Sequence, residues 1–307
     1  MNIEITHVTK RYGSITALDD CSCTIPSGST CAILGTNGAG KTTLFHLLVG
    51  LASPDEGTIE IGDRPIGVNE RRVRKQVGYL PERVGFPDEL TAREVLQTHA
   101  AIRGLRDEGL IDRTLETVEL DYAADRRVGG FSNGMRGRLG LATAILSRPS
   151  VLILDEPTAG LDPTGVTRFY RIVERLVETT DATVLLATHD LANVERLCDH
   201  VVVIDDGRVI LEGSVERLRG EAPRRTTVRA IDPAMWEGAT EVADRIPSAR
   251  VEHTTEETVV IRVDPSDLVD CINLIESKLQ PDGIDVSQGD LRDAFVGLVD
   301  TRRKAQP

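Results

Sequence analysis

Residues 29–48 read STCAILGTNGAGKTTLFHLL. The apolar run predicts a strand over 29–34, and the segment from Lys41 onward predicts a helix. Between them, Gly35, Thr36, Asn37, Gly38, Ala39, Gly40, Lys41 and Thr42 fit the spacing G-x-x-x-x-G-K-[ST], and Thr43 continues the first helical turn. The chemistry of such a loop is specific. Glycines let backbone N–H groups converge on phosphate oxygens with no Cβ in the way. The helix N-terminus adds a favourable dipole. Lys41 is placed to reach the β- and γ-phosphates, and the Thr42 hydroxyl to ligate Mg²⁺. A glycine-rich turn without a ligand is the bland alternative, and the complete spacing in a strand-to-helix setting argues against it.

Two further apolar runs, VLILDEP at 151–157 and TVLLATH at 183–189, read as strands buried on both faces. A helix over about 165–179 separates them, as a βαβ unit requires. Asp155 ends the first run and Glu156 follows it. A carboxylate at Asp155 can hold Mg²⁺ and the next can orient or deprotonate an attacking water, although an acidic pair there can also be a solvated turn. His189 ends the second run, either as a cap for the following helix or as a sensor of the γ-phosphate. Upstream, strands are predicted over 2–8, 20–25, 57–62 and 76–80, and a hairpin around Asp206-Gly207 joins 201–205 to 208–211. The pattern from Thr91 to Leu146 is helical, with a capping box at Thr91 and Glu94 and an N-cap at Ser132.

After Gly220 the composition changes. GEAPRR reads as a linker, followed by strand 226–231, helix 233–245, strands 250–254 and 258–263, helix 265–280, strand 284–287 and a last helix over 289–301. That βαββαβ order matches a ferredoxin-like module. The division expected is therefore 1–219 for the nucleotide-binding domain, with a helical subdomain over about 82–146, and 220–307 for a small α+β accessory domain.

Composition narrows the functional classes. The chain has 307 residues, and its hydrophobic fraction of 40% is enough for packed cores. No run approaches the ~18 apolar residues of a membrane span, and the N-terminus lacks the pattern of a secretory signal. The five cysteines are scattered, which fits a reducing cytoplasm. Cys21 and Cys23 face one side of a predicted strand; small buried residues are the ordinary reading there, and copper binding the sharper one. The net charge of −13 argues against nucleic acid as a partner. Lysine occurs only at positions 10, 41, 75, 278 and 304. That scarcity beside abundant carboxylates fits either adaptation to a salty cytoplasm or a GC-rich genome.

The motif set resembles the ATP-binding subunit of ATP-binding-cassette (ABC) transporters over about residues 2–218. The deciding segment is Phe131-Ser132-Asn133-Gly134-Met135, ahead of a long helix and VLILDEP, which is similar to the family's signature loop. Ala159-Gly160-Leu161-Asp162 matches its D-loop, Thr188-His189-Asp190 its switch histidine, and Tyr12 the aromatic that stacks on adenine. The resemblance implies an α/β P-loop NTPase core with an antiparallel β portion and a helical subdomain, and the cofactors ATP and Mg²⁺. It implies catalytic roles for Glu156, His189 and Lys41, and metal contacts from Thr42, Glu82 and Asp155. It further implies a head-to-tail homodimer, or a heterodimer with a related ATPase, in which Ser132, Asn133 and Gly134, with Asp162 of the D-loop, meet the nucleotide held by the other chain. The expected partner is a membrane permease on the inner face of the cell membrane, with no direct contact between the ATPase and the transported substrate.

Departures from the family pattern stand out. Glu82 follows Tyr79-Leu80-Pro81 where the family usually has Gln, and the signature carries Phe131, Asn133 and Met135 where Leu, Gly and Gln are common. YLPE together with a SxGM-type signature is similar to ATPases paired with ABC-2-type membrane subunits, among them the ATPase for copper-site maturation of nitrous oxide reductase. The competing implication is a soluble cassette ATPase, such as the Fe–S assembly type.

Overall fold

The computed structural model describes residues 1–62, 64–66, 75–107, 109–220, 224–229, 234–254, 258–264, 266–279, 283–288, 291 and 294–299. The chain divides into two compact units, Met1–Gly213 and Ser214–Pro307.

The first unit opens with β1 (Ile3–Tyr12), β2 (Ile15–Ile25) and β3 (Thr30–Leu34), then α1 (Lys41–Leu48), β4 (Glu56–Ile61) and β5 (Val77–Leu80). Helices α2 (Ala92–Arg103) and α3 (Leu110–Thr117) follow, then two short 3₁₀ turns and α4 (Asn133–Ile145). The unit continues through β6 (Val151–Asp155), α5 (Pro163–Thr179), β7 (Thr183–Ala187), α6 (Leu191–Leu197), β8 (His200–Asp205) and β9 (Arg208–Ser214). A six-stranded sheet has the order β5-β6-β7-β3-β8-β9, and a three-stranded antiparallel sheet the order β2-β1-β4. Pairing is parallel from β5 through β8. Every residue of β3, β6 and β7 is buried, which explains why these strands read as unbroken apolar runs.

The core joins the inner face of the three-stranded sheet (Ile3, Ile5, Ile59, Ile61) to Leu44, Phe45, Leu47 and Leu48 of α1 and to the parallel strands. Burying each such side chain contributes about 1.5–3 kcal/mol. This packing pins the helix that follows the phosphate loop. Cys21 and Cys23 belong to the same core, opposite Val8 and Ile5 of β1. Burial raises both thiols, that of Cys23 strongly, as expected of packing residues.

Several local expectations hold and several shift. The capping box is present: Glu94 N donates to Thr91 Oγ1 (3.2 Å) and Thr91 N to Glu94 Oε2 (2.8 Å). Asp206 and Gly207 both have positive φ (45° and 73°), the geometry of a type I′ turn. The strand expected at 20–25 starts at Ile15, because β1 and β2 form one hairpin turning at Gly13 (φ 60°). Register shifts along β1 break its alternation and hide that pairing from a period-2 reading. Helix α5 begins at Pro163 rather than 165, with Asp162 as N-cap and proline in the first turn.

The second unit contains α7 (Val215–Gly220), which the sequence reading did not anticipate, then β10 (Arg224–Arg229), α8 (Ala234–Arg245), β11 (Arg250–Thr254), β12 (Thr258–Val263), α9 (Leu268–Leu279) and β13 (Gly283–Gln288). Arg224 and Arg225, expected in a linker, belong to β10. The sheet is antiparallel with the order β11-β12-β10-β13. Val259, Ile261 and Val263 pack against Ala239, Val242, Cys271 and Ile275 of the two helices. Of the helix expected over 289–301, positions 294–299 are helical; Asp293 lies outside the described residues.

Candidate nucleotide-binding site

The loop 35–40 is shaped by backbone contacts. A Cβ on Gly35 would lie 2.4 Å from the carbonyl oxygen of Ile204, and one on Gly40 2.6 Å from that of Ala17. Gly40 also has φ 109°. Both positions therefore require glycine. Ala39 N donates to Thr36 O (3.1 Å), Gly207 N to Ala39 O (3.0 Å) and Leu44 N to Gly40 O (2.9 Å). Lys41 Nζ donates to Gly35 O (2.9 Å) and Thr36 O (3.2 Å), which curls the ammonium over its own loop. The result is a tight glycine loop with one cation folded over it, at the N-terminus of a helix, and this arrangement suits a polyphosphate.

Asp155 lies at the C-terminal end of β6 and is 2% exposed. Burial raises its carboxyl pKa, while hydrogen bonds from the Thr42 and Tyr79 hydroxyls favour the ionised form. Tyr79 Oη donates to Asp155 Oδ2 at 3.4 Å, and burial followed by the Asp155 charge raises the tyrosine's own pKa. The Glu82 charge acts on both groups. Glu82 also approaches Arg83 (4.0 Å), whose guanidinium is solvent-exposed. Thr42, Glu82 and Asp155 thus supply one hydroxyl and two carboxylates, the hard oxygen donors that Mg²⁺ takes.

Glu156 and His189 meet just past the ends of adjacent strands. Glu156 Oε2 lies 2.9 Å from His189 Nδ1, with the histidine 86% exposed and the glutamate 19%. Glu156 has φ 43°, a left-handed conformation that costs a non-glycine residue about 1–2 kcal/mol. Its N–H still donates to Ala187 O (3.0 Å), so the two strands stay joined while the side chain turns out of the sheet. Behind His189, Thr188 is buried against the Tyr170 hydroxyl (3.2 Å) and accepts from Asp190 N (3.1 Å).

The remaining candidates occupy other elements. Tyr12, at the end of β1, is exposed with Lys10 Nζ 5.4 Å from its ring centre, so one face of the ring carries a cation. Ser132 caps α4 by accepting from Met135 N (3.3 Å), and Asn133 Nδ2 donates to Gly160 O (3.4 Å). Asp162 caps α5 by accepting from Gly165 N (2.6 Å). Phe131 and Met135 are buried, leaving Ser132 and Asn133 as the exposed part of that loop. Tyr79 and Tyr170 were not singled out from the sequence. Their partners lie 76 and 18 residues away, and the only local hint was the position of Tyr79 three residues before Glu82.

A family model for ABC transporters matches residues 18–159. Over 217 residues the chain is 39% identical to the bacitracin transport ATP-binding protein BcrA of Bacillus licheniformis, covering 71% of each protein. The chain belongs to the ABC transporter ATP-binding family. This ABC ATPase is also 40% identical over 222 residues to the Nod factor export ATP-binding protein I of Sinorhizobium fredii, covering 71% of this chain and 64% of that protein. Among solved structures it resembles a dimeric post-hydrolysis state of an ATP-binding cassette bound to ADP and phosphate. That match has a TM-score of 0.63 and 25% identity, and covers 69% of this chain and 98% of the other. The ABC ATPase binds ATP and hydrolyses it to ADP and phosphate. No helix among the described residues is long and apolar enough to cross a membrane.

Proposed function

We propose that this ABC ATPase drives export through a separate ABC-2-type permease at the cytoplasmic face of the cell membrane. The observation that carries the reading is its similarity to an export ATP-binding protein together with its own Glu82 and Ser132–Met135 motifs. The narrower likeness to a copper-maturation ATPase rests on those motifs alone, whereas the relatives above are named for bacitracin transport and Nod factor export. Purification of the full chain from detergent-solubilised membranes tests the proposal. We expect a multi-span membrane protein to copurify and to change the ATPase rate. Recovery wholly in the soluble fraction, with no such protein, would favour a soluble cassette role instead.

Within the site, the roles we assign are these. The amides of residues 35–43 and Lys41 hold the phosphates, and Tyr12 stacks on the base. Thr42, Glu82 and Asp155 hold Mg²⁺, which when bound offsets phosphate charge. Glu156 orients and deprotonates the attacking water, and His189 contacts the γ-phosphate. Ser132, Asn133, Gly134 and Asp162 serve the nucleotide bound by the opposite chain of a dimer. The dimeric neighbour supports that sandwich, as does the exposure of Ser132 and Asn133. We read the chain as two domains, with a ferredoxin-like accessory module after the ATPase. The sheet order β11-β12-β10-β13 within a βαββαβ succession supports that reading.

Glu82 supplies a sharper test, because its charge acts on buried Asp155. With Mg²⁺ bound, the carboxylate and the phosphates attract through the metal; without it they repel. ATP affinity should therefore depend more steeply on Mg²⁺ concentration in the wild type than in Glu82→Gln, and Glu82→Ala should hydrolyse ATP less well than Glu82→Gln. Magnesium titrations of nucleotide binding check this. Superimposable curves for all three proteins would mean that Glu82 does not serve the metal.

A further inference from the structure

Helix α3 ends in a Schellman motif: Leu120 N donates to Leu115 O (2.8 Å) and Glu119 N to Glu116 O (3.0 Å). The left-handed position of that motif, where glycine is the unstrained choice, holds Glu119 at φ 56°. Its side chain is committed elsewhere. Oε2 accepts from Arg168 Nε (2.6 Å) and Oε1 from Arg175 Nη2 (2.5 Å), both on α5, and these partners hold the carboxyl below its usual range against the opposing effect of burial. The backbone of the same turn is held by α4. Buried Arg138 donates through Nη1 to Glu119 O (2.5 Å) and Val118 O (3.2 Å), and through Nε to Gly134 O (3.4 Å). A cation there also faces the negative end of the α3 dipole.

One residue thus joins three elements. Its carbonyl is fastened to the helix that starts at Ser132, and its carboxylate to the helix that starts at Asp162. We propose that Glu119 is a positioning residue, which locks the signature loop and the D-loop into one rigid body so that both reach the opposite chain's nucleotide together. The inference rests on the sandwich reading above. A structural cap alone gives no reason for a strained glutamate where glycine fits, and a surface ion pair alone gives no reason for it to sit on the turn that Arg138 grips.

The test uses full-length chain carrying Glu156→Gln to trap the ATP-bound dimer, with and without Glu119→Gly. Glycine relieves the backbone strain and keeps the cap, so folding is preserved while the clamp is lost. A second variant, Arg168→Gln with Arg175→Gln, leaves Glu119 and its turn intact. Nucleotide affinity of the monomer and melting temperature should change little in either variant. The fraction of dimer at saturating ATP should fall about tenfold. In chains with Glu156 restored, kcat should fall by a similar factor with KM nearly constant. If the trapped chain dimerises and both clamp variants dimerise and turn over equally well, the positioning role is overturned and the sandwich stands. If the trapped chain does not dimerise at all, the sandwich reading fails and the inference fails with it. Parallel losses of melting temperature, monomer affinity and dimer would identify Glu119 as a purely structural residue and also overturn the proposal.

Discussion

Glu156→Gln is expected to keep ATP bound while turnover falls by about two to four orders of magnitude, the range spanned by loss of a positioned general base. The substitution is nearly isosteric. It leaves the left-handed backbone at φ 43° as strained as before and keeps an oxygen or an amide within reach of His189 Nδ1. What it removes is the carboxylate that can accept a proton from water. Because the phosphate loop and Asp155 are untouched, the nucleotide should persist, and the chain should accumulate as an ATP-bound dimer on size exclusion. Wild-type turnover in this variant would remove Glu156 from the mechanism. Fast turnover retained only in the presence of exogenous small carboxylates would be a chemical rescue and would support the base role directly.

Lys41→Ala is expected to weaken ATP binding by about a hundredfold or more, given that charge-assisted hydrogen bonds are worth about 1.5–3 kcal/mol each and Lys41 offers three donors. The variant also strips Gly35 O and Thr36 O of their donor. Ser132→Arg acts at a different place. It should leave monomer binding of ATP near wild type but block dimer closure, since an arginine at this exposed position adds bulk and charge to the loop proposed to meet the opposite chain's nucleotide. Loss of the Ser132 cap costs about 0.5–2 kcal/mol, so Ser132→Asn, which can still cap, is the control for stability. Mixed together, the two variants can form at most one intact composite site per heterodimer. Measurement of nucleotide affinity by fluorescence and of dimer by sedimentation checks both. ATP-driven dimerisation of Ser132→Arg at the wild-type level would contradict the sandwich.

What could be read without coordinates was whatever is local in the chain. The spacing Gly35 to Thr42, the capping box at Thr91 and the turn at Asp206-Gly207 all consist of residues within eight positions of one another, and each appears where expected. The buried parallel strands were legible for a related reason: burial on both faces leaves no polar position to interrupt the run. The ends of these strands were less so. β6 stops at Asp155, where the apolar run was read to end, but β7, expected to reach His189, stops at Ala187. Glu156 leaves the sheet through a positive φ, and no pattern in D-E-P-T announces that. Long-range polar contacts were invisible altogether. Tyr79 with Asp155 and Glu119 with Arg168 bridge 76 and 49 residues, and side chains of these types occur all along the surface. The β1–β2 hairpin failed for a third reason, because register shifts disrupt the alternation on which a strand reading depends.

The phosphate loop is crowded first by the main chain of its neighbours: the carbonyls of Ile204 and Ala17 are the nearest atoms a Cβ at Gly35 or Gly40 would strike, with the Leu18 side chain next at Gly40. Substitutions at 17 and 204 leave those oxygens in place, so the identity of these two residues is open to change as far as the loop is concerned. Gly35 and Gly40 have no such freedom. Mutational tolerance around the loop is therefore lopsided. The intolerance falls on the glycines themselves, and a random library spanning these four positions should return functional clones monotonous at 35 and 40, varied at 17, and restricted at 204 only to apolar residues that fit the core in which Ile204 is buried.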